Sequence, residues 1–256
     1  MLANYHTHTY RCNHASGTEE EYILRAISCG IQIMGFSDHA PIPFEEGYNT
    51  GWRVPKEKAQ EYVDTINALK KKYKDKIELH VGFEMEYYPD CFDIMLRFVK
   101  SVGAEYLILG EHYLGKENDG RRSSGMPGHT GDSITEYVDL IIEGMKTGKF
   151  LYVAHPDILN YIGDDERWER EMTRLCKVAK ELNVPLEINC LGIRDNRTYS
   201  SEKFYKIAGQ VGSKMIVGFD AHDVASAYDG ESLEKIKVLK EKYNLNIIDK
   251  VEIKGL

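Results

Sequence analysis

Short apolar runs that end in polar residues alternate along this chain with longer amphipathic ones. The runs at 2–6, 33–37, 77–84, 106–111, 151–155, 185–189 and 215–220 are brief and bounded by polar or turn residues, the pattern of buried parallel strands. Helical patterns lie between them. The stretch 55–73 opens with Pro55 at the expected first helical position and sets Tyr62, Ile66, Leu69 and Tyr73 on one face. Thr18 with Glu21, and Ser133 with Glu136, have the spacing of capping boxes, and Gly148 after Lys146 has that of a helix stop. Trp168, Met172, Leu175, Cys176, Ala179 and Leu182 form a further helical stripe, read as core packing. No linker, low-complexity stretch or repeat interrupts the alternation, so residues 1–256 are expected to form a single α/β domain around a parallel sheet. A closed barrel and an open doubly wound sheet both fit. In either, functional side chains collect at the carboxyl ends of the strands.

The histidines follow that rule. His6 and His8 close the first run, and residues two apart on a strand face the same side, so both imidazoles can reach one ion. His14 follows in the next loop. Asp38 and His39 end the second run, Glu84 the third, His112 the fourth, His155 the fifth, and Asp220 with His222 the seventh. A lone histidine is more often structural than ligating, but imidazoles and carboxylates recurring at successive strand ends converge on one place. Seven histidines and two carboxylates exceed what a single ion uses, so the count implies a multinuclear site for Zn, Mn or Fe(II). His80 and His129 fall outside the pattern; His80 reads as structural and His129 as an exposed loop residue.

Composition narrows the partners. The 33 basic and 41 acidic residues give a net charge of −8, which argues against a general grip on nucleic-acid phosphates. Five scattered cysteines without a CxxC pair point to a reducing cytoplasm. The opening MLANYHTHTY has neither the basic nor the apolar region of a signal peptide, and no apolar run approaches the ~20 residues of a membrane helix, so no membrane partner is expected. Oligomeric state leaves no mark in the sequence. Cys91 and Arg97 have the C-x5-R spacing of cysteine phosphatases, but the residues between them are an amphipathic helical stretch without glycine, so Cys91 reads as inert.

The motifs HTH, SDH, GFE, GEHY, AHPD and GFDAH together resemble those of the PHP (polymerase and histidinol phosphatase) superfamily. The surrounding YRCNHASGTEEEYILRAI, EYLILGEHYL, EGMKTGKF, HPDILNYIGD and LEINCLGIR resemble its histidinol-phosphate phosphatase branch. The resemblance spans essentially the whole chain. It implies a distorted (β/α)7 barrel with three divalent metal ions. Carried over by motif, His6, His8, Glu84 and Asp220 hold the first ion. Glu84 bridges to a second that His112 and His155 complete, and His14, His39 and His222 hold the third. Glu84, Asp220 and His222 are the expected catalytic residues. The implied reaction is hydrolysis of L-histidinol phosphate to L-histidinol and phosphate by a metal-activated hydroxide, a step of histidine biosynthesis. The alternative within the superfamily is another phosphate ester: a small molecule, phosphotyrosine or a nucleotide. Arg194 and Arg197, directly after the sixth run, are the expected phosphate contacts, because guanidinium forks suit phosphoryl oxygens. Arg53, Arg121 and Arg122 are weaker candidates. Glu111, Asp157 and Tyr113 are candidate partners for a substrate ammonium. A non-catalytic module would be expected to lose ligands, and this chain has lost none. An amidohydrolase barrel usually carries a lysine at a strand end, and none stands there.

Overall fold

The computed structural model describes residues 3–42, 48 and 50–256. Among the described residues seven parallel strands run in chain order: β1 (Ala3–Asn4), β2 (Ile33–Phe36), β3 (Glu78–Met85), β4 (Tyr106–Leu109), β5 (Leu186–Asn189), β6 (Lys214–Gly218) and β7 (Asn246–Ile248). Around them lie α1 (Glu19–Ser28), α2 (Ala59–Tyr73), α3 (Phe92–Ser101), α4 (Ser133–Lys146), α5 (Asp165–Glu181), α6 (Cys190–Arg194), α7 (Glu202–Val211) and α8 (Gly230–Tyr243).

The strands pair as β1-β2-β3-β4 and β5-β6-β7. Two joins turn these into a ring. Between β4 and β5 the chain passes through Val153, which bridges Leu109 on one side and Leu186 on the other. Ala154 N donates to Leu109 O at 2.8 Å, and Glu187 N donates to Val153 O at 2.9 Å. Across the remaining gap Thr7 bridges Ala221, with His8 N donating to Ala221 O at 2.9 Å. The pattern of runs left barrel and open sheet undecided; this closure makes it a distorted (β/α)7 barrel. Two expectations are corrected. The run at 151–155 forms isolated bridges instead of a ladder, and it ends where His155 takes a φ of 30° and turns the chain away. Strand β7, three residues paired to the start of β6, was not expected; it is too short for a pattern and forms only because β6 offers it an edge. Leu2, expected to open the first strand, lies outside the described residues.

Apolar side chains fill two layers. Between strands and helices, Phe36, Leu79, Phe83 and Leu107 pack with Tyr62, Ile66, Val138, Ile141, Leu175 and Phe204. Each such side chain contributes roughly 1.5–3 kcal/mol through burial. A second cluster draws on the strands and the segments that continue or bridge them: Ala3, Tyr5, Ile33, Tyr106, Ile108, Tyr152, Ala154 and Ile216 fill the barrel, with Val251 and Ile253 of the C-terminal segment against them. Tyr106 Oη donates to Tyr5 O at 2.8 Å, and Tyr5 Oη donates to Val251 O at 3.1 Å. The amino end of the barrel is therefore plugged, and access is left to the carboxyl end.

The helix signals are realised unevenly. Thr18 caps α1 in a reciprocal box with Glu21, and Gly148, at φ 66°, follows α4 as expected. Ser133 does not cap α4: it is the first helical residue and its hydroxyl donates to Thr130 O at 2.9 Å, while Glu136 pairs with Arg121. Pro55 precedes a 3-10 turn, Lys56–Lys58, which leads into α2. Among the described residues no helix is long and apolar enough to cross a membrane.

His80, on β3, sits between Glu105 (Nδ1 to Oε2, 2.6 Å) and Glu78 (Nε2 to Oε1, 2.9 Å), away from the other strand-end histidines. Burial alone lowers its pKa, but the two carboxylates outweigh that and raise it above the usual imidazole value. Its charge therefore stabilises the fold in full below about pH 6.5, and the contribution fades as pH rises through the raised folded value. We expect His80→Gln to lower Tm most at pH 6, by an amount corresponding to about 1 kcal/mol or less, and to match the parent at pH 9. Thermal melts at the two pH values check this; an equal gap at both would show that the charge is not responsible.

Candidate metal centre

At the carboxyl ends of the strands the barrel gathers all nine expected donors into one cluster centred on Glu84. This carboxylate is 1% exposed. Its Oε2 lies 3.4 Å from His6 Nε2, 3.3 Å from His8 Nε2 and 3.2 Å from His39 Nδ1. Its Oε1 lies 2.7 Å from His155 Nε2 and 3.4 Å from His112 Nε2. Asp220 Oδ1 stands 3.4 Å from His6 Nε2, 3.3 Å from His8 Nε2 and 3.4 Å from His222 Nδ1. His14 and His222 meet through their Nε2 atoms at 3.0 Å. The cluster grades from His6, fully buried on the barrel floor, to His14, exposed at the rim.

Local backbone serves this convergence. His155 and Asp220 both have positive φ, 30° and 48°, at strand ends. Non-glycine residues held there cost about 1–3 kcal/mol each, and such strain concentrates at functional sites. Two glycines make room for carboxylates: a Cβ on Gly110 would stand 2.0 Å from Glu84 Oε1, and one on Gly218 1.8 Å from Glu187 Oε1.

The donors fit divalent metal ions. All are imidazole nitrogens or carboxylate oxygens, a set suited to first-row divalent metals. His6 and His8 approach through their Nε2 atoms at 3.1 Å, as His14 and His222 do, although such a pair can share only one proton. Buried Glu84 Oε2 and the Nδ1 atoms of His8, His39 and His155 have no hydrogen-bond partner, an arrangement that needs a reason in a buried site. Several triads bring their donor atoms within 4.8 Å, among them His6, His8 and Glu84; His6, His155 and Asp220; His8, His39 and His222; and His39, Glu84 and His112. Electrostatics divide the donors: burial lowers His6, His8 and His155, but the carboxylates facing them outweigh it and raise all three above the usual imidazole value, so these rings must give up a proton to an incoming cation. Burial pushes Glu84 and Asp220 upward, but the facing imidazoles outweigh it and hold both carboxyls well below their usual range. Burial, reinforced by neighbouring imidazoles, keeps His39 well below its usual value and His222 at about 3, so both rings are neutral with a lone pair to give.

Partners behind the donors were not found in the sequence. Glu187 accepts from His6 Nδ1, from His155 N and from Asn189 Nδ2, each at 2.8 Å. Glu86 accepts from His112 Nδ1 at 2.8 Å. The signals were a lone acid in the apolar run PLEIN and a second acid two residues after Glu84, just past the end of β3. Asp38 accepts from Thr9 N at 2.8 Å and from Thr9 Oγ1 at 2.6 Å, with His8 Nδ1 3.8 Å away.

A cavity of about 430 Å³ opens over the cluster. Arg194 and Arg197 line it, as does an apolar wall of Trp52, Ile158, Leu191 and Tyr199. Both arginines are tethered: Arg194 Nη1 to Asp229 Oδ2 at 2.9 Å, and Arg197 Nη2 to Asp195 Oδ2 at 3.0 Å with Nη1 on Tyr199 Oη at 3.1 Å. Arg121 and Arg122 do not line it, and Arg53 is buried beneath it among carboxylates. Glu111 is fully buried, accepting from Tyr87 N at 3.1 Å, and Asp157 is occupied by Ser200 and Ser201 at the start of α7, so neither meets an ammonium in the cavity. Tyr113 stands behind Trp52, ring centroids 6.0 Å apart. His129, expected to be exposed, is buried with Nε2 2.9 Å from Ser123 O. Cys91 precedes α3 and touches Met95, with no phosphate-binding loop around it.

A parallel barrel with such a cluster at its open end defines a metal-dependent hydrolase class, and the comparisons specify the family. The PHP domain model matches residues 4–191, and the chain belongs to that family. A Deinococcus radiodurans protein described as "Probable histidinol-phosphatase" is 25% identical over 226 residues, 86% of each chain. The Bacillus subtilis histidinol-phosphatase is 29% identical over 116 residues, 43% of each. Among solved structures, the histidinol phosphate phosphatase of Lactococcus lactis, complexed with Zn, L-histidinol and phosphate, superposes with a TM-score of 0.72 at 19% identity over 98% of both chains.

We expect His6→Ala and Asp220→Ala to keep the helical circular dichroism of the parent while losing bound metal. Metal-dependent turnover should fall on the order of a thousandfold, since lost metal chemistry is worth several kcal/mol. Metal analysis of the purified variants checks this, and a full metal complement in both would remove the assignment.

Proposed function

We propose that this chain hydrolyses L-histidinol phosphate to L-histidinol and phosphate, as a single domain over residues 1–256 acting on a small phosphorylated substrate in the cytoplasm. The observation that carries the reading is one cavity lined by seven of the nine candidate metal donors and by two arginines, with His6 and His8 buried in the same cluster. Metal donors facing fixed guanidinium groups suit the phosphoryl end of a monoester. The relatives' own activity supports the choice of ester.

Three divalent ions, Zn, Mn or Fe, would fit the cluster: His6, His8, Glu84 and Asp220 would hold the first, Glu84, His112 and His155 the second, and His14, His39 and His222 the third. Bound ions supply a water acidified toward neutral pH and positive charge against phosphoryl oxygens. The chain's residues do the rest. Glu84, Asp220 and His222 are the catalytic residues, holding the reacting groups together. Arg194 and Arg197 bind phosphoryl oxygens, and their carboxylate tethers keep each fork aimed before substrate arrives. Trp52, Leu191 and Tyr199 give the leaving group an apolar wall. The net charge of −8 supports a small substrate in preference to a nucleic acid.

The test is phosphate release from L-histidinol phosphate beside para-nitrophenyl phosphate and thymidine monophosphate, with chelator and with added Mn or Zn. Strong metal-dependent preference for histidinol phosphate is expected. Hydrolysis of the other esters alone would keep the chemistry and remove this substrate. Arg194→Gln and Arg197→Gln should each lower kcat/KM by about 10–100-fold, the worth of a charged hydrogen bond; unchanged values in both would remove the arginines from the phosphate site.

A further inference from the structure

The segment between β2 and α2 sends two consecutive side chains to opposite sides of the metal centre's wall. Trp52 lines the cavity, its ring centroid 4.7 Å from that of His39 and 5.5 Å from that of His112. Arg53, 3% exposed, lies behind it with its guanidinium carbon 3.8 Å from the Trp52 ring centroid. Arg53 Nη2 donates to Glu86 Oε1 at 2.7 Å and to Glu117 Oε2 at 2.9 Å, Nε donates to Glu117 Oε2 at 3.1 Å, and Nη1 donates to Ala40 O at 3.3 Å. Glu86 Oε1 is the same atom that meets His112 Nδ1 at 2.8 Å.

One oxygen therefore couples a fixed cation to one metal donor. With Glu86 Oε1 accepting, His112 carries its proton on Nδ1 and turns Nε2, with its lone pair, toward Glu84 Oε1 at 3.4 Å. Glu86 is 0% exposed and cannot be left as an unpaired buried carboxylate, so the arginine is what allows it to stand there. On the cavity side the Trp52 ring stands edge-on to His112, at an interplanar angle of 68°.

We propose that Arg53 is a positioning residue of the metal centre: through Glu86 it fixes the tautomer and direction of His112, and so sets the affinity for the ion that His112 completes. The inference rests on the metal-site reading above but not on the identity of the substrate.

The test uses the full chain, stripped with chelator and titrated with Mn(II) by equilibrium dialysis with metal analysis, for the parent and for Glu86→Gln, Arg53→Met and Glu117→Gln. Emission of Trp52, in a Trp168→Phe background, gives a second readout beside His39 and His112. Glu86→Gln and Arg53→Met should weaken one ion of the set by about 10–100-fold and leave the others in place, with the Trp52 response to that ion shifted to higher Mn(II). Glu117→Gln, which leaves the link between Arg53 and Glu86 intact, should bind as the parent does. If Arg53→Met does not fold, Glu86→Gln decides. Parent-like binding by Glu86→Gln would overturn the inference, as would an equal loss in Glu117→Gln, which would reduce the network to packing. A parent chain that binds no Mn(II) at all would instead remove the metal site itself.

Discussion

A buried carboxylate with five imidazoles around it is the constraint on which this structure turns. Glu84 is carried to the barrel floor by β3, the longest strand, and has no exposure to solvent that could stabilise its charge. Such a group is tolerated only if positive charge or metal surrounds it. His6, His8, His39, His112 and His155 supply the ring, each from a different strand end except the first two. The barrel must close for those ends to meet, and the bridge between Thr7 and Ala221 brings the two ends of the ring together beside Asp220.

Much of the remaining architecture follows from that floor. Tyr5, Tyr106 and Tyr152 pack the barrel below it and, with the C-terminal segment, shut the amino end. Glycines at 110 and 218 stand where any side chain would strike Glu84 or Glu187. Glu187 and Glu86 hold the far nitrogens of His6 and His112, so the inner imidazoles are oriented before any ion arrives. The cost is borne locally, in the strained backbone at His155 and Asp220. Packing and site are in this sense one design: rigid strands, a sealed base, and conformational strain confined to the residues that face the cavity.

Chemistry is then divided by depth. The inner donors are buried and fixed, whereas His14 and the two arginines stand near the mouth, where a phosphate ester arrives from solvent. The apolar wall of Trp52, Ile158, Leu191 and Tyr199 offers a surface to whatever the phosphate is attached to. The division matches a hydrolase that must hold its reacting centre dry while exchanging substrate and product through one opening.

The sequence by itself determined most of the periodic structure and which side-chain types meet at the strand ends. Strand runs ending in His or acid, and the Thr18 cap, report on local backbone preference and on side-chain chemistry, both of which are written residue by residue. Tertiary structure decided what depends on closure. Whether the sheet curls into a ring, whether 151–155 forms a ladder, and whether Asn246–Ile248 finds an edge are set by partners far away in the chain. The same holds for Glu86, Glu187 and Arg53: an acid in an apolar strand or an arginine in a loop has no assigned role until folding shows which imidazole or carboxylate it meets. Glu111 and Asp157 make the converse point, since strand-end acids that looked available are spent on backbone amides of their own surroundings. Ligand type is a property of a residue, but orientation is a property of its neighbours, and only the fold supplies those.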